Sequence, residues 1–302
     1  MISGIQETRR DKAFLLINYL FVMLALIIVL YPLIYIVSAS FSNPKYVGSG
    51  EMWLWPKGFT LKGYQIVFEN SKIWIGYANT IFYTLLGTAI NLIVTMPAAY
   101  ALSRKDFVGR NFFMAMFMVT MFFGGGLVPT YMLVKNLGMI NTVWALVIPS
   151  AASIWNIIVA RTFFQSSIPK ELQDAAQIDG CTNMRLFIKI ILPLSMPIIA
   201  VMALFYGVGN WNSYFPALIY LNEEAKYPLQ MVLRQILVLQ EMSAQAGGAM
   251  DAASAAALNN KAEVASLVKY AVIIVSTVPI IAVYPFLQRY FVQGVMIGSV
   301  KG

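Results

Sequence analysis

Two short stretches of this 302-residue chain hold the side chains best placed to do chemistry. Glu171, Asp174 and Asp179 stand among Ala175, Ala176 and Gly180, and Gly209-Asn210-Trp211-Asn212-Ser213-Tyr214 interleaves amides and hydroxyls with indole and phenol rings. The first stretch offers carboxylates to basic groups on a partner, with alanines that permit close approach. The second can give a sugar hydrogen bonds and stacking faces without any fixed charge. Asn79 and Asn156, in other apolar runs, add amides of the same kind. Interhelical hydrogen bonding is the competing use of these neutral groups.

Several chemistries are missing. There is no histidine, so imidazole triads, imidazole metal ligands and histidine proton relays are excluded. Cys181 is alone, which rules out an internal disulfide and makes no metal site. No Walker-type phosphate loop occurs, so any nucleotide that drives this protein is bound by another chain. An enzyme reading finds neither an acid/base pair nor a nucleophile with a partner.

The elements that must position the two stretches are apolar. Hydrophobic residues make up 59% of the chain and charged residues 11%, with a mean hydropathy of +0.71; a soluble domain carries about 25% charge. About 20 apolar residues cross a bilayer as a helix, and six runs come near or exceed that length, around 14–39, 73–101, 111–132, 142–162, 188–219 and 266–288. The expectation is an all-α polytopic membrane protein with six transmembrane helices in a single domain over 1–302. The first run follows Arg9, Arg10 and Lys12 but is too long for a signal peptide and lacks a small-residue cleavage site. The basic clusters that abut the membrane, Arg9 to Lys12 and Arg104 to Arg110, both fall inside if the N terminus is cytoplasmic. The net charge of +8 then needs only an anionic inner leaflet.

This topology gives an external loop over 40–72 with Trp53, Trp55 and Pro56, a cytoplasmic loop over 163–185, and a second external loop over 221–265 that becomes Ala/Gly-rich from Ala244 to Ala257. That last loop is either a flexible surface segment with a short helix through its alanines or a docking element for an external protein. Gly124-Gly125-Gly126 and prolines 97, 149, 193, 197, 216, 279 and 285 punctuate the runs. Such breaks need protein or water to satisfy the freed backbone, which suggests hinges or a central pathway; packing through small residues is the plainer alternative. No ionisable group lies at the middle of a run, which counts against a proton- or sodium-coupled carrier.

The run Ser166-Ser167-Ile168-Pro169-Lys170-Glu171-Leu172-Gln173-Asp174-Ala175-Ala176-Gln177-Ile178-Asp179-Gly180 predicts a helix of about three turns outside the bilayer, begun by a serine cap and a first-turn proline and ended by Gly180 at positive φ. Asp174-Ala175-Ala176, then Gly180, Ile190 and Leu192-Pro193 at their spacing resemble the cytoplasmic signature loop of the permease subunits of bacterial ABC importers, with Asp174 where that family usually has Glu. Residues 168–172, Phe187, Pro193-Leu194 and Pro197 are similar to the carbohydrate branch, in particular the second permease of maltose and oligosaccharide importers. Residues 123–131, 227–230 and 290–302 resemble the subgroup for complex oligosaccharides and polysaccharide fragments.

The resemblance implies a type I importer permease fold with both termini cytoplasmic, in a bacterial inner membrane. Its implied partners are a homologous second permease, two cytoplasmic ATPase subunits that hydrolyse ATP with Mg, and an extracytoplasmic solute-binding protein delivering an oligosaccharide. No cofactor is implied on this chain. Residues 169–180 become a coupling helix seated in an ATPase cleft, with Glu171, Asp174, Ala175, Ala176, Asp179 and Gly180 at the contact. Asn79, Asn156, Asn210, Trp211, Asn212 and Tyr214 become candidates for the pathway, residues 236–264 a probe of the binding protein, and the C-terminal tail a further ATPase contact. A permease for another large solute and a non-transport membrane assembly subunit remain the alternatives.

Overall fold

The computed structural model describes residues 8–245, 265, 268–283 and 285. The described residues form helices joined by turns and irregular segments, and contacts divide the chain into two units: residues up to Asn70 with those from Gln235 to Ser276, and Ser71–Arg234 with those from Thr277 onward.

In the first unit, helix α1 (Arg9–Ser40) starts on a capping box, Thr8 accepting from the Asp11 amide while Asp11 accepts from Thr8. Its middle is apolar all round, and Phe14 through Ile34 leave large side chains such as Phe21 uncovered by protein. A helix with no polar face and no protein cover matches lipid, not water. The loop after α1 folds back on its end: Ser38 Oγ donates to the Leu54 carbonyl, the Lys57 amide donates to Ser42 Oγ, and Phe41 stacks on Phe59 and Tyr64. Within this loop, expected over 40–72, the chain forms short helices at Pro44–Gly48 and Lys62–Glu69.

The second unit is organised by α2 (Ser71–Ser103). Ile73, Gly76, Thr80, Gly87, Asn91, Thr95, Ala99 and Leu102, spaced by three, four or seven residues, are all buried, one face of a helix rich in small and polar groups. Small residues let other helices come close where dispersion, not hydrophobicity, holds them. A methyl added at Gly87 would lie 2.8 Å from Asn210 Nδ2, and one at Gly76 3.2 Å from the Leu229 Cα. Packed along this face are α5 (Ile154–Ser167) and α8 (Met196–Trp211).

Among the described residues two helices are long and apolar enough to cross a membrane, α1 and α2, and counting each sharply bent pair as one raises the number to four. The run at 111–132, which Gly124-Gly125-Gly126 were expected to interrupt, is broken there into α3 (Arg110–Phe122) and α4 (Leu127–Asn136), bent by 111° where Gly126 takes φ 84°. The run at 188–219 is α7 (Asn183–Leu194) and α8, bent by 81° at Ser195 between Pro193 and Pro197. At 142–162 a single turn, Trp144–Val147, precedes α5, and the break between them frees the carbonyls of Ser150 and Ala151. Asn91 Nδ2 donates to both, at 2.6 and 3.0 Å, the satisfaction that a broken helix in lipid requires. Part of the loop expected over 221–265 is helical, α9 (Leu229–Gln245), while the alanine-rich stretch beyond Gln245 and the C-terminal tail lie outside the described residues. Of the sixth run, α10 (Val268–Val283) is described.

Replacing Asn91 by leucine, which keeps the branched skeleton but not the amide, should destabilise the folded subunit by roughly 2 kcal/mol or more, because two carbonyls and the Asn210 amide lose a partner. A thermal-unfolding midpoint in detergent that drops for Asn91→Leu and barely moves for an exposed lipid-facing change such as Phe21→Leu is the expected outcome.

Candidate coupling and pathway sites

Helix α6 (Lys170–Ile178) is joined to α5 by Ile168 and Pro169 alone. The serine cap expected from the sequence is not made: Ser166 and Ser167 end α5, Ser166 Oγ bonding back to the Phe163 carbonyl, and Pro169 occupies the cap position with extended backbone and no side-chain cap bond. Proline fixes its own φ and turns the residue before it away from helix, so Ile168 becomes a corner, its side chain buried.

The far end of α6 closes as the sequence led one to expect. Gly180 takes φ 66°, its amide donates to the Gln177 carbonyl, and the Cys181 amide donates to Ala176. That pair of bonds is the Schellman motif, with glycine at the left-handed position. Ala176 and Cys181 also meet in the core cluster that the motif usually brings with it. Thr182 then caps α7 through the Arg185 amide.

The helix has two distinct sides. Ala176 is 5% exposed and, with half-buried Leu172, packs into a core made by Met96, Tyr100, Ile157, Phe164, Phe187 and Ile191 from α2, α5 and α7. Glu171, Asp174, Ala175 and Asp179 are exposed, and Ile178 is 87% exposed. A short helix with an uncovered isoleucine and alanine flanked by carboxylates is shaped for a partner's groove.

A brace missed from the sequence lies beside this helix. Arg104, 8% exposed, donates through Nε and Nη2 to both Asp106 oxygens at 2.8 and 2.5 Å and through Nη1 to Asn183 Oδ1 at 2.9 Å. It thereby ties the end of α2 to the start of α7. Arg161 Nε adds a bond from α5 to the Leu102 carbonyl. The Arg104 guanidinium holds the Asp106 carboxyl below its ordinary 3.8, so the pair's contribution is complete above that value and fades as pH falls through the lowered one.

The pathway candidates do not converge into one open lining. Asn79 spends both amide hydrogens on the Ala225 and Tyr227 carbonyls, and with Tyr83 on Lys226 it anchors the 222–228 segment. Asn210 Nδ2 donates to Asn91 Oδ1 and Thr88 Oγ1, joining α8 to α2. Trp211 is buried, edge-on to Tyr77. Asn212 is exposed and bonds the Val208 carbonyl, and Tyr214 is 42% exposed beside Phe215. Asn156 is 8% exposed, and among the described residues its side-chain amide makes no hydrogen bond. Asn210, Thr80 and Ser213 do line a cavity with Tyr83, but of about 20 Å³, room for a water and not for a sugar.

Comparison with known proteins follows the same lines. Residues 72–297 match the family described as binding-protein-dependent transport system inner membrane component. Over all of its length the chain is 41% identical to Protein LplC of Bacillus subtilis (strain 168), covering 99% of it. It is 38% identical to the polygalacturonan/rhamnogalacturonan transport system permease protein YtcP of the same organism, over 97% of this chain and 100% of that one. Among solved structures, a chain of a bacterial ABC transporter involved in the import of the acidic polysaccharide alginate superposes with a TM-score of 0.81 at 32% identity, covering 95% of this chain and 100% of that one. The chain belongs to the binding-protein-dependent transport system inner membrane component family. It is a multi-pass inner-membrane permease subunit of a binding-protein-dependent ABC importer.

At Gly180 an added methyl meets nothing within 4 Å, so the cost of a side chain there is conformational, about 1 kcal/mol or more for Gly180→Ala. Gly180→Asn should cost less, because asparagine tolerates the left-handed region. Thermal stabilities ordered wild type, asparagine, alanine check this directly.

Proposed function

We propose that this subunit forms half of the translocation pathway for an oligosaccharide or polysaccharide fragment and is driven through α6. In this reading six spans cross the membrane with both termini in the cytoplasm, two of them built from the bent pairs. Residues 169–180 sit in a cleft of an ATPase subunit, with Glu171, Asp174 and Asp179 meeting basic groups and Ala175 and Ile178 filling the groove. The cargo arrives from a solute-binding protein outside. Asn212 and Tyr214, the exposed members of the 210–214 cluster, are the best candidates to touch it, with Asn156 a third.

The observation that supports coupling is the two-sidedness of α6: one face is part of the same core as three longer helices, and the other is open. Closure of the ATPase pair on ATP binding would move α6, and Ala176 and Leu172 would carry that movement into α2, α5 and α7. The polysaccharide reading draws on the relatives, one a polygalacturonan/rhamnogalacturonan permease and another a subunit of an alginate importer. The neutral, aromatic character of the 210–214 cluster suits a sugar without selecting its charge.

The test uses the purified complex of this chain with its partner permease, ATPase subunits and binding protein in liposomes. Ile178→Asp, which puts a charge on the apolar part of the open face, should lower ATPase activity stimulated by loaded binding protein by about tenfold, the equivalent of roughly 1.4 kcal/mol of lost contact, while the folded subunit keeps its thermal stability. Unchanged stimulation would remove α6 from the coupling role. Independently, Tyr214→Ala should reduce oligosaccharide uptake severalfold without lowering nucleotide-driven ATPase turnover in the absence of cargo.

A further inference from the structure

The side of α6 that carries Lys170, Gln173, Asp174 and Gln177 meets the ends of α2 and α5 around an open cavity of about 580 Å³, within the range of small-ligand sites. Its ionisable lining is Arg104, Lys105, Asp106, Arg110, Lys170 and Asp174, with glutamine amides and the apolar Phe164 and Ile168 in the rest of the wall. Asp106 is committed to Arg104 in the paired contact described above. That leaves Lys105, Arg110 and Lys170 facing Asp174, and among the described residues no carboxylate comes within 4.0 Å of any of the three cations.

The cations also crowd one another. Lys170, and to a smaller extent Arg110, push the Lys105 ammonium below its ordinary pKa, as neighbouring like charges do. Lys105 lies just past the end of the apolar α2 and Arg110 is the first residue of α3, so in the proposed topology the cavity opens at the depth where a bilayer's hydrocarbon gives way to its headgroups. Basic pockets between membrane helices at that depth suit phosphate-bearing headgroups, and a polyanion between Lys105 and Lys170 would turn mutual repulsion into two charge-assisted contacts.

We propose that the cavity between α6 and the ends of α2 and α5 binds a phosphate oxyanion through Lys105, Arg110 and Lys170, supplied by the headgroup of an anionic phospholipid or by free phosphate. Bound there, the anion links the root of α6 to the α2–α3 corner and stiffens the helix against its own protein. The site goes beyond the coupling reading and draws on the proposed topology only for which leaflet supplies a lipid.

The test measures acylation of Lys105 by mass spectrometry in the assembled importer without nucleotide, in nanodiscs of phosphatidylcholine alone, of phosphatidylcholine with phosphatidylglycerol, and of phosphatidylcholine with added inorganic phosphate. An occupied site raises the Lys105 pKa and should slow labelling by about threefold or more. Slowing by phosphatidylglycerol alone identifies the lipid, and slowing by inorganic phosphate in pure phosphatidylcholine identifies the free ion. In Lys170→Gln the added anion should no longer slow the reaction, and native mass spectrometry should show less retained phosphatidylglycerol if the lipid is the source. Labelling that neither anion changes overturns the proposal, as does carbodiimide coupling of Lys105 to a carboxylate of an ATPase subunit in that same unresponsive state, which would make an acidic protein group the occupant. Neither readout depends on ATP turnover, so a failed coupling role and a failed anion site are told apart.

Discussion

The contact of Ala176 and Leu172 with the core shared by α2, α5 and α7 is the constraint on which the rest depends. A nine-residue helix is too short to be stable by itself in water, so α6 exists as a helix because its inner face is buried, its start is turned by Pro169 and its end is closed by Gly180. The same burial makes it a mechanical part of the membrane-embedded unit. Interiors packed at crystal-like density transmit displacement and do not absorb it. The Arg104 brace to Asn183 adds a polar tie between the two segments that flank α6 in space.

Deeper in the second unit, polar groups do the work that hydrophobic burial does in a soluble protein. Lipid gives apolar helices no reason to prefer one another, so close approach at Gly76 and Gly87 and hydrogen bonds from Asn91, Asn210, Thr95 and Tyr206 decide which faces meet. Asn91 is the centre of this arrangement: one side chain satisfies the two carbonyls freed at the break before α5 and accepts from α8. Thr95 Oγ1 and Tyr206 Oη, 2.7 Å apart, make a second link one turn further along α2. Breaks in the apolar runs and the buried amides are therefore one feature seen from two sides.

What could be read in the sequence was what depends on local chemistry. The lipid-facing character of α1 follows from a run with no polar face, and the end of α6 follows from a glycine where only the left-handed backbone closes both bonds. Breaks were legible at Gly124 to Gly126 and at prolines 193 and 197, but the sharp bend at Ser195 was harder, because Pro193 and Pro197 are each acceptable in the first turn of a helix and their effect is felt only together. Long-range pairing left no local sign at all. Asn79 looks like a lining residue until its partners, some 146 and 148 positions away, are known, and Arg104 looks like an ordinary inside-facing charge until Asn183 is placed beside it. The serines before Pro169 looked like a cap because the corner that assigns them to α5 is itself set by the packing of Ile168.

The account stands or falls on whether force enters the subunit at the open face of α6. The most direct measurement is a disulfide crosslink from a single cysteine introduced by Ile178→Cys, with Cys181→Ser as background, to cysteines placed around the cleft of the ATPase subunit in the assembled importer. The account predicts an efficient crosslink that arrests binding-protein-stimulated ATP hydrolysis and is reversed by reduction. A cysteine at that position that never reaches the ATPase subunit, or that reacts with an impermeant reagent from outside intact cells, would contradict it.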